Sequence, residues 1–69
     1  MTDLTCKQFK VYEFIKDFIK DKQYPPSCRD IATGFSINTK SAQDYLKVIE
    51  KKGYIKRISG QARGIVVIK

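Results

Sequence analysis

Basic side chains are concentrated in the second half of this 69-residue chain. From Thr39 onwards, eight lysine and arginine residues stand against two acidic residues, Asp44 and Glu50, which gives a net charge of +6. Residues 1–38 hold six basic and five acidic residues, a net charge of +1, so the chain carries +7 in total. Ammonium and guanidinium groups bind phosphate oxygens, and a one-sided basic surface is typical of a nucleic-acid-binding protein. The distribution therefore indicates that residues 39–69 contact a nucleic acid.

The segment 39–52 is predicted to be a helix with one apolar and one polar face. The apolar residues follow the i, i+3, i+4, i+7 spacing of a core-facing stripe: Ala42, Tyr45, Leu46 and Ile49. The opposite face carries Lys40 and Asp44, with Ser41 and Gln43 on its flanks, and these small or polar side chains can pair with base edges in the major groove. Lys47 and Lys51 follow on the same face, where an ammonium group can reach a phosphate.

The segment 5–22 is predicted to form a first helix that serves as a scaffold. Thr5 and Gln8 have the spacing of a capping box, and Leu4 is expected to pack onto Phe9 as a hydrophobic staple. The apolar stripe expected to face the core consists of Phe9, Tyr12, Ile15 and Ile19, with Val11 and Phe18 at its margins. Lysine and acidic residues share the exposed side, which is typical of a solvated helix surface.

A short second helix and a tight turn are predicted between the first and third helices. Tyr24-Pro25-Pro26 ends the first helix, because proline disfavours helical backbone in the residue before it and cannot donate a backbone hydrogen bond. Ser27 is expected to cap a second helix over 28–34, and Asn38 or Thr39 is expected to cap the third helix. Helix, turn and helix in this order predict a helix-turn-helix, whose last helix lies in the major groove.

The chain after the third helix is predicted to form a β-hairpin. Its strands are expected at 54–58 and 65–68, with a glycine-bracketed turn between them. Arg63 in that turn suits contact with a phosphate or with the minor groove. The predicted fold is therefore α+β and mainly α: a winged helix-turn-helix with three helices and a two-stranded β-hairpin wing, in a single domain over residues 1–69.

The chain offers no residue pattern for metal binding or catalysis. It has two cysteines, Cys6 and Cys28, and no histidine, so one chain cannot supply the four Cys and His ligands of a structural zinc site. Both thiols are expected to be free and part-buried in a reducing compartment. Because the chain has no histidine to act as a base and no paired catalytic groups, we expect that the protein is not an enzyme and binds no cofactor. Without a secretory signal or a long apolar run, we expect a cytoplasmic protein with no membrane contact.

Seven stretches share a sequence pattern, and its specific parts are the Pro-Pro-Ser opening of the second helix and the Ser-Gly-x-x-Arg-Gly-Ile wing: Leu4-Thr5, Gln8, Tyr24-Pro25-Pro26-Ser27, Arg29-Asp30-Ile31-Ala32, Tyr45-Leu46-Lys47, Lys51-Lys52-Gly53-Tyr54-Ile55 and Ser59-Gly60-Gln61-Ala62-Arg63-Gly64-Ile65. They resemble the amino-terminal DNA-binding domain of the LexA repressor family, and the resemblance extends from Leu4 to Ile68. It implies a winged helix-turn-helix that binds a specific sequence of double-stranded DNA as a transcriptional repressor. By position it also implies that the base-reading residues are Asn38, Lys40, Ser41, Gln43 and Asp44.

The predicted DNA contacts combine the start of the second helix, the third helix and the wing. The full set is Ser27, Arg29, Asn38, Thr39, Lys40, Ser41, Gln43, Asp44, Lys47, Lys51, Arg57, Gln61 and Arg63. The expected partner is double-stranded DNA, and a homodimer on the DNA is left open. Repressors of the family also carry a carboxy-terminal domain that cleaves a linker and mediates dimerisation. Here we expect a small stand-alone repressor without that domain, of the kind found in a phage or mobile element; the alternative left open is that the chain is one part of a longer protein.

A second function stays open beside DNA-dependent repression. Winged helices also serve as modules that bind single-stranded DNA or a protein partner in replication or in mobile-element and phage biology. A single-strand binder needs exposed aromatic side chains on which bases can stack. Only Tyr54 and Phe35 are candidates for such platforms, so this alternative is the weaker of the two.

Overall fold

The computed structural model describes residues 4–58, 60 and 64–68. The described residues form three helices and an antiparallel two-stranded sheet in the order α1 (Cys6–Lys22), α2 (Cys28–Phe35), α3 (Thr39–Lys51), β1 (Ile55–Arg57) and β2 (Ile65–Val67). This architecture confirms the predicted mainly helical α+β fold with a hairpin wing. The helix bounds agree with the prediction to within one residue, and both strands are shorter than predicted.

The first two helices begin at capping boxes. The Thr5 hydroxyl accepts a hydrogen bond from the Gln8 backbone N–H at 3.2 Å, and the Gln8 side chain accepts one from the Thr5 N–H at 3.0 Å. Ser27 and Asp30 repeat both bonds at the start of α2, at 3.2 and 3.0 Å. Each box satisfies backbone N–H groups that have no partner inside the helix. The sequence predicted both caps correctly.

Left-handed backbone ends α1 and α2. Gln23 has φ 68° and Ser36 has φ 55°. The Gln23 N–H bonds to the carbonyl of Ile19 at 2.8 Å, so α1 closes before the two prolines. After α2, the Ile37 N–H bonds to the carbonyl of Ala32 at 2.9 Å. Only three residues separate α2 from α3, so this bond and the left-handed residue fix the angle between the two helices.

The core lies where the three helices meet the sheet. Its largest buried side chains each have less than 2% of their surface exposed: Val11, Ile15, Pro26, Ile31, Leu46, Ile49 and Ile55. The prediction that Phe9 faces this core is wrong, because Phe9 is 36% exposed. An α-helix turns about 100° per residue, so Phe9 lies about 120° around the helix from Ile15. Val11, predicted at the margin of the stripe, takes its place, and Leu4 also joins the buried cluster.

The wing pairs its two strands in antiparallel register. Ile55 lies opposite Val67, and Arg57 lies opposite Ile65. Ile55 and Ile65 are buried, so this set of side chains faces the core. The alternate set, which includes Lys56, points away from the core because successive strand residues face opposite sides. The hairpin is thus held to the helices by one face only.

Candidate nucleic-acid interface

The outward face of α3 gathers most of the predicted DNA contacts. Ala42, Leu46 and Ile49 have no exposed surface, so packing fixes which way the helix faces. The other side presents exposed polar or charged residues, with Ser41 half-buried at their edge: Asn38, Thr39, Lys40, Gln43, Asp44, Lys47 and Lys51. This surface can offer hydrogen-bond donors and acceptors to base edges and ammonium groups to phosphates.

Asn38 begins α3 as its cap. Its side-chain oxygen accepts a hydrogen bond from the Ser41 backbone N–H at 2.7 Å. This settles the choice that the sequence left between Asn38 and Thr39, since Thr39 is the first residue of the helix. The carboxamide NH₂ of Asn38 remains a donor beside the base-reading face. Asn38 therefore positions the helix whatever else it contacts.

Ser27 and Arg29 lie at the start of α2. Both capping hydrogen bonds of Ser27 run to Asp30, and the residue is half-buried. Its predicted structural role is confirmed, while its contact with DNA stays a prediction. Arg29 is exposed, and its guanidinium can reach beyond the helix.

Two hollows lie side by side between α1 and α3, and both are lined by Ile37 and Tyr45. The one of about 230 Å³ is bordered by Lys7 and Lys10 of α1. The one of about 320 Å³ is bordered by these further residues: Gln8, Ser41, Asp44 and Val48. One end of α1 therefore adjoins the predicted base-reading face. The helical pattern of α1 predicted only a scaffold, because periodicity shows which face is buried and not which element lies beside the exposed one.

The wing adds charge at the far end of α3. Lys56 is exposed and Arg57 is half-buried. The Arg57 backbone N–H donates to a carboxylate oxygen of Glu50 at 3.2 Å, which ties the end of β1 to α3. Gln61 and Arg63, the other two predicted wing contacts, lie outside the described residues.

The aromatic side chains considered as stacking platforms are engaged in packing. Tyr54 meets Tyr12 edge to face with ring centroids 5.2 Å apart, and Phe35 meets Phe14 at 5.2 Å. Both are half-buried against the core. The more exposed aromatic residues in the described part of the chain are Phe9 and Tyr24, at 36% and 45%.

The cysteines only partly follow the prediction. Both are free, and Cys28 is part-buried as expected. Cys6 is exposed, which corrects the expectation of a part-buried thiol. The first turn of α1 projects it away from the core, beside Lys7 and opposite the stripe that contains Val11.

Among the described residues, no group of three or more His, Cys, Asp or Glu side chains could hold a metal ion. None of the described helices combines the length and apolar character needed to cross a membrane.

A short capped helix, a three-residue turn, a second helix with an outward polar face and an antiparallel hairpin define a winged helix-turn-helix, a class of nucleic-acid-binding domain. The chain belongs to the LexA family, since the family model for the LexA DNA binding domain matches residues 1–64. This membership confirms the predicted resemblance and the prediction of a DNA-binding domain.

Several curated relatives are LexA repressors. The chain is 46% identical over its whole length to the LexA repressor of Leptospira biflexa, of which it covers 34%. It is 48% identical to that of Leptospira interrogans, again with 34% of the relative covered, and 49% identical to that of Thermotoga neapolitana, with 35% covered. All 69 residues align in each case. The chain thus spans about a third of the length of these relatives.

Proposed function

We propose that this domain binds a specific sequence of double-stranded DNA through the outward face of α3 and represses transcription where it is bound. The observation that carries the proposal is the two-sidedness of α3, with Leu46 fully buried on one side and exposed polar side chains on the other. Membership of the LexA DNA-binding family supports DNA binding. The name repressor, shared by the relatives, supports the regulatory part.

Base reading is assigned to the exposed polar residues of the first two turns of α3. The Gln43 carboxamide can pair in bidentate fashion with adenine, and the Lys40 ammonium can donate to guanine O6 and N7. The Asp44 carboxylate can accept from the cytosine amino group, and the Ser41 hydroxyl can bond to several bases. Each good base contact contributes about 1–3 kcal/mol of discrimination against a wrong base.

Affinity is assigned mainly to phosphate contacts. The logarithm of the binding constant falls linearly with the logarithm of the salt concentration, and the slope of that line is called the salt slope here. Each neutralised phosphate makes the salt slope steeper by about 0.9 units. The cations proposed for this role flank the base-reading residues: Arg29, Lys47, Lys51, Arg57 and Arg63. Polar groups at the helix starts and in the wing complete the proposed set: Ser27, Asn38, Thr39 and Gln61.

In this function residues 1–69 act as one binding domain that carries out no chemical step. Two copies on one operator would read two half-sites whose centres lie about one helical turn of DNA, or a multiple of it, apart. Repression follows from occupancy, because a bound domain blocks other proteins from the same DNA. We propose that the protein acts in the cytoplasm, because binding to DNA requires it to be in the compartment that holds the DNA.

The test is a selection from random nucleic-acid pools. A duplex pool and a single-stranded pool of equal length are incubated with the protein, and the bound molecules are sequenced. We expect a consensus from the duplex pool and none from the single-stranded pool. A consensus recovered only from single strands would replace the proposed function with the single-strand alternative.

A further inference from the structure

Lys7 and Lys10 lie on the side of α1 that borders the helix-turn-helix. They line the hollow of about 230 Å³ together with Ile37 of the turn and Tyr45 of α3. The adjoining hollow shares Ile37 and Tyr45 and is bordered by Asp44 of the base-reading face. Both lysines are exposed. Two ammonium groups therefore stand on the same stretch of surface as the residues proposed to read bases, on an element outside the helix-turn-helix.

The charge of α1 is unbalanced only at this end. Residues 6–12 contain two lysines and no acidic residue, whereas residues 13–22 contain three lysines and three acidic residues. Two of the later lysines form ion pairs, Lys16 with Glu13 at 3.7 Å and Lys22 with Asp21 at 3.8 Å. Within the described part of the chain, no carboxylate lies within 4.0 Å of the ammonium group of Lys7 or Lys10. No described carboxylate therefore neutralises these two charges, and each ammonium group can bind an external anion.

We propose that Lys7 and Lys10 contact DNA phosphates beside the major groove that α3 occupies, so that the interface extends onto α1. The inference rests on the proposed function, because it places the DNA on the outward face of α3. An ammonium group acts as a mobile point charge toward a phosphate, so exposed lysines next to a docked groove suit this role. The contact positions the domain on the duplex and carries no sequence information.

The experiment compares double variants on the duplex that the parent protein selects. Binding constants are measured over a range of salt concentrations for the parent and for Lys7→Gln combined with Lys10→Gln. Loss of two phosphate contacts should make the logarithmic salt slope shallower by about two units. Affinity at 0.1 M salt should fall on the order of tenfold for each lysine.

Two further double variants distinguish an effect of the charges at positions 7 and 10 from an effect of the domain's net charge. Lys20→Gln with Lys22→Gln removes the same charge from the same helix about 19 Å away along its axis, and should keep the parent slope. Lys7→Arg with Lys10→Arg keeps the charge and should also keep the slope. Thermal unfolding of all variants should match the parent, since the four lysines are exposed.

The possible results differ in what they overturn. An unchanged salt slope in the Lys7 and Lys10 glutamine variant, with a parent that binds the duplex, overturns this inference and leaves the proposed function intact. An equal change in the Lys20 and Lys22 variant also overturns it, because the effect would then be one of net charge. A parent that binds no duplex overturns the proposed function and this inference together.

Discussion

The helix-turn-helix and the wing are attached to the same core in different ways. α2 and α3 both begin at side-chain caps, and α3 buries three residues completely. Each strand of the wing has three residues, and one residue of each, Ile55 and Ile65, is buried. The side of the wing away from the core leaves apolar side chains exposed, at 43%, 47% and 58% of their surface: Ile58, Val66 and Ile68.

The different anchoring suits α3 to reading bases and the wing to contacting phosphates. Reading base edges requires side chains held at fixed positions, and α3 is fixed by a cap at its start and by packing along its length. Phosphate contacts depend on charge more than on exact position, so a lightly anchored hairpin can supply them. We therefore expect changes at the buried positions of α3 to alter stability and changes at its base-reading positions to alter sequence choice, whereas changes at exposed positions of the wing should alter mainly affinity.

The largest expected effect is loss of the α3 anchor. Leu46→Ala should cost about 2–5 kcal/mol of unfolding free energy, because it leaves a cavity at a fully buried position. Val66→Ala on the outer face of the wing should cost less than about 1 kcal/mol. Urea unfolding followed by circular dichroism measures both. Equal losses would show that the two regions are anchored alike.

A glycine in each region tests the same contrast. A methyl group at Gly34 in α2 would lie 2.7 Å from Cε2 of Phe14, whose ring also packs against Phe35. Gly34→Ala should cost about 1–2 kcal/mol, since overpacking outweighs the better helix propensity of alanine. Combining it with Phe14→Leu should recover part of the loss.

Gly60 in the wing serves as the matched position. It has φ 83° and open space around it, so backbone conformation and not packing limits substitution there. Gly60→Asn should be nearly neutral in the same unfolding experiment, because asparagine tolerates left-handed backbone. A Gly34→Ala variant more stable than the parent would contradict the close packing of α2 on α1.

The cap of α3 has a smaller effect that can be divided into two parts. Asn38→Ala should lower the unfolding free energy by about 1 kcal/mol, and Asn38→Ser should lower it little because serine also caps. If Asn38 also contacts DNA, the serine variant should still bind the selected duplex more weakly. A serine variant with parent stability and parent affinity would confine Asn38 to capping.

Local signals predicted most of the fold. The starts of the helices could be predicted from Thr5, Ser27 and Asn38, because capping depends on residues only three positions apart. Predicting that Val11 is buried in place of Phe9 would have required the exact orientation of α1. A stripe with apolar residues on several sides of the helix does not define that orientation.

The neighbours of α1 could not be predicted from the sequence. The placement of Lys7 and Tyr45 around one hollow, and the closeness of Phe14 to Gly34, depend on how helices distant in sequence pack together. The same limit applies to the exposed residues of α3. Their common face follows from periodicity, but their contacts with DNA remain predictions.

Exposed cations should have the smallest effect on stability. Lys47→Ala and Lys51→Ala should each change the unfolding free energy by less than about 0.5 kcal/mol. Each should reduce the salt slope of duplex binding by about one unit if its ammonium group contacts a phosphate. From the sequence, Arg63→Ala is expected to weaken binding in the same way from the wing. If both lysine variants keep the salt slope of the parent protein, neither ammonium group on α3 contacts a phosphate.

Base reading by α3 is tested most directly by repeating the duplex selection with Gln43→Ala and Lys47→Ala beside the parent. Gln43 is exposed on the base-reading face, and loss of its carboxamide should cost about 1–3 kcal/mol at the base pair it reads. We predict that Gln43→Ala changes the preferred base at one or more positions, whereas Lys47→Ala keeps the parent consensus and binds every duplex more weakly. A Gln43→Ala consensus identical to the parent's at every position would contradict base reading by this residue.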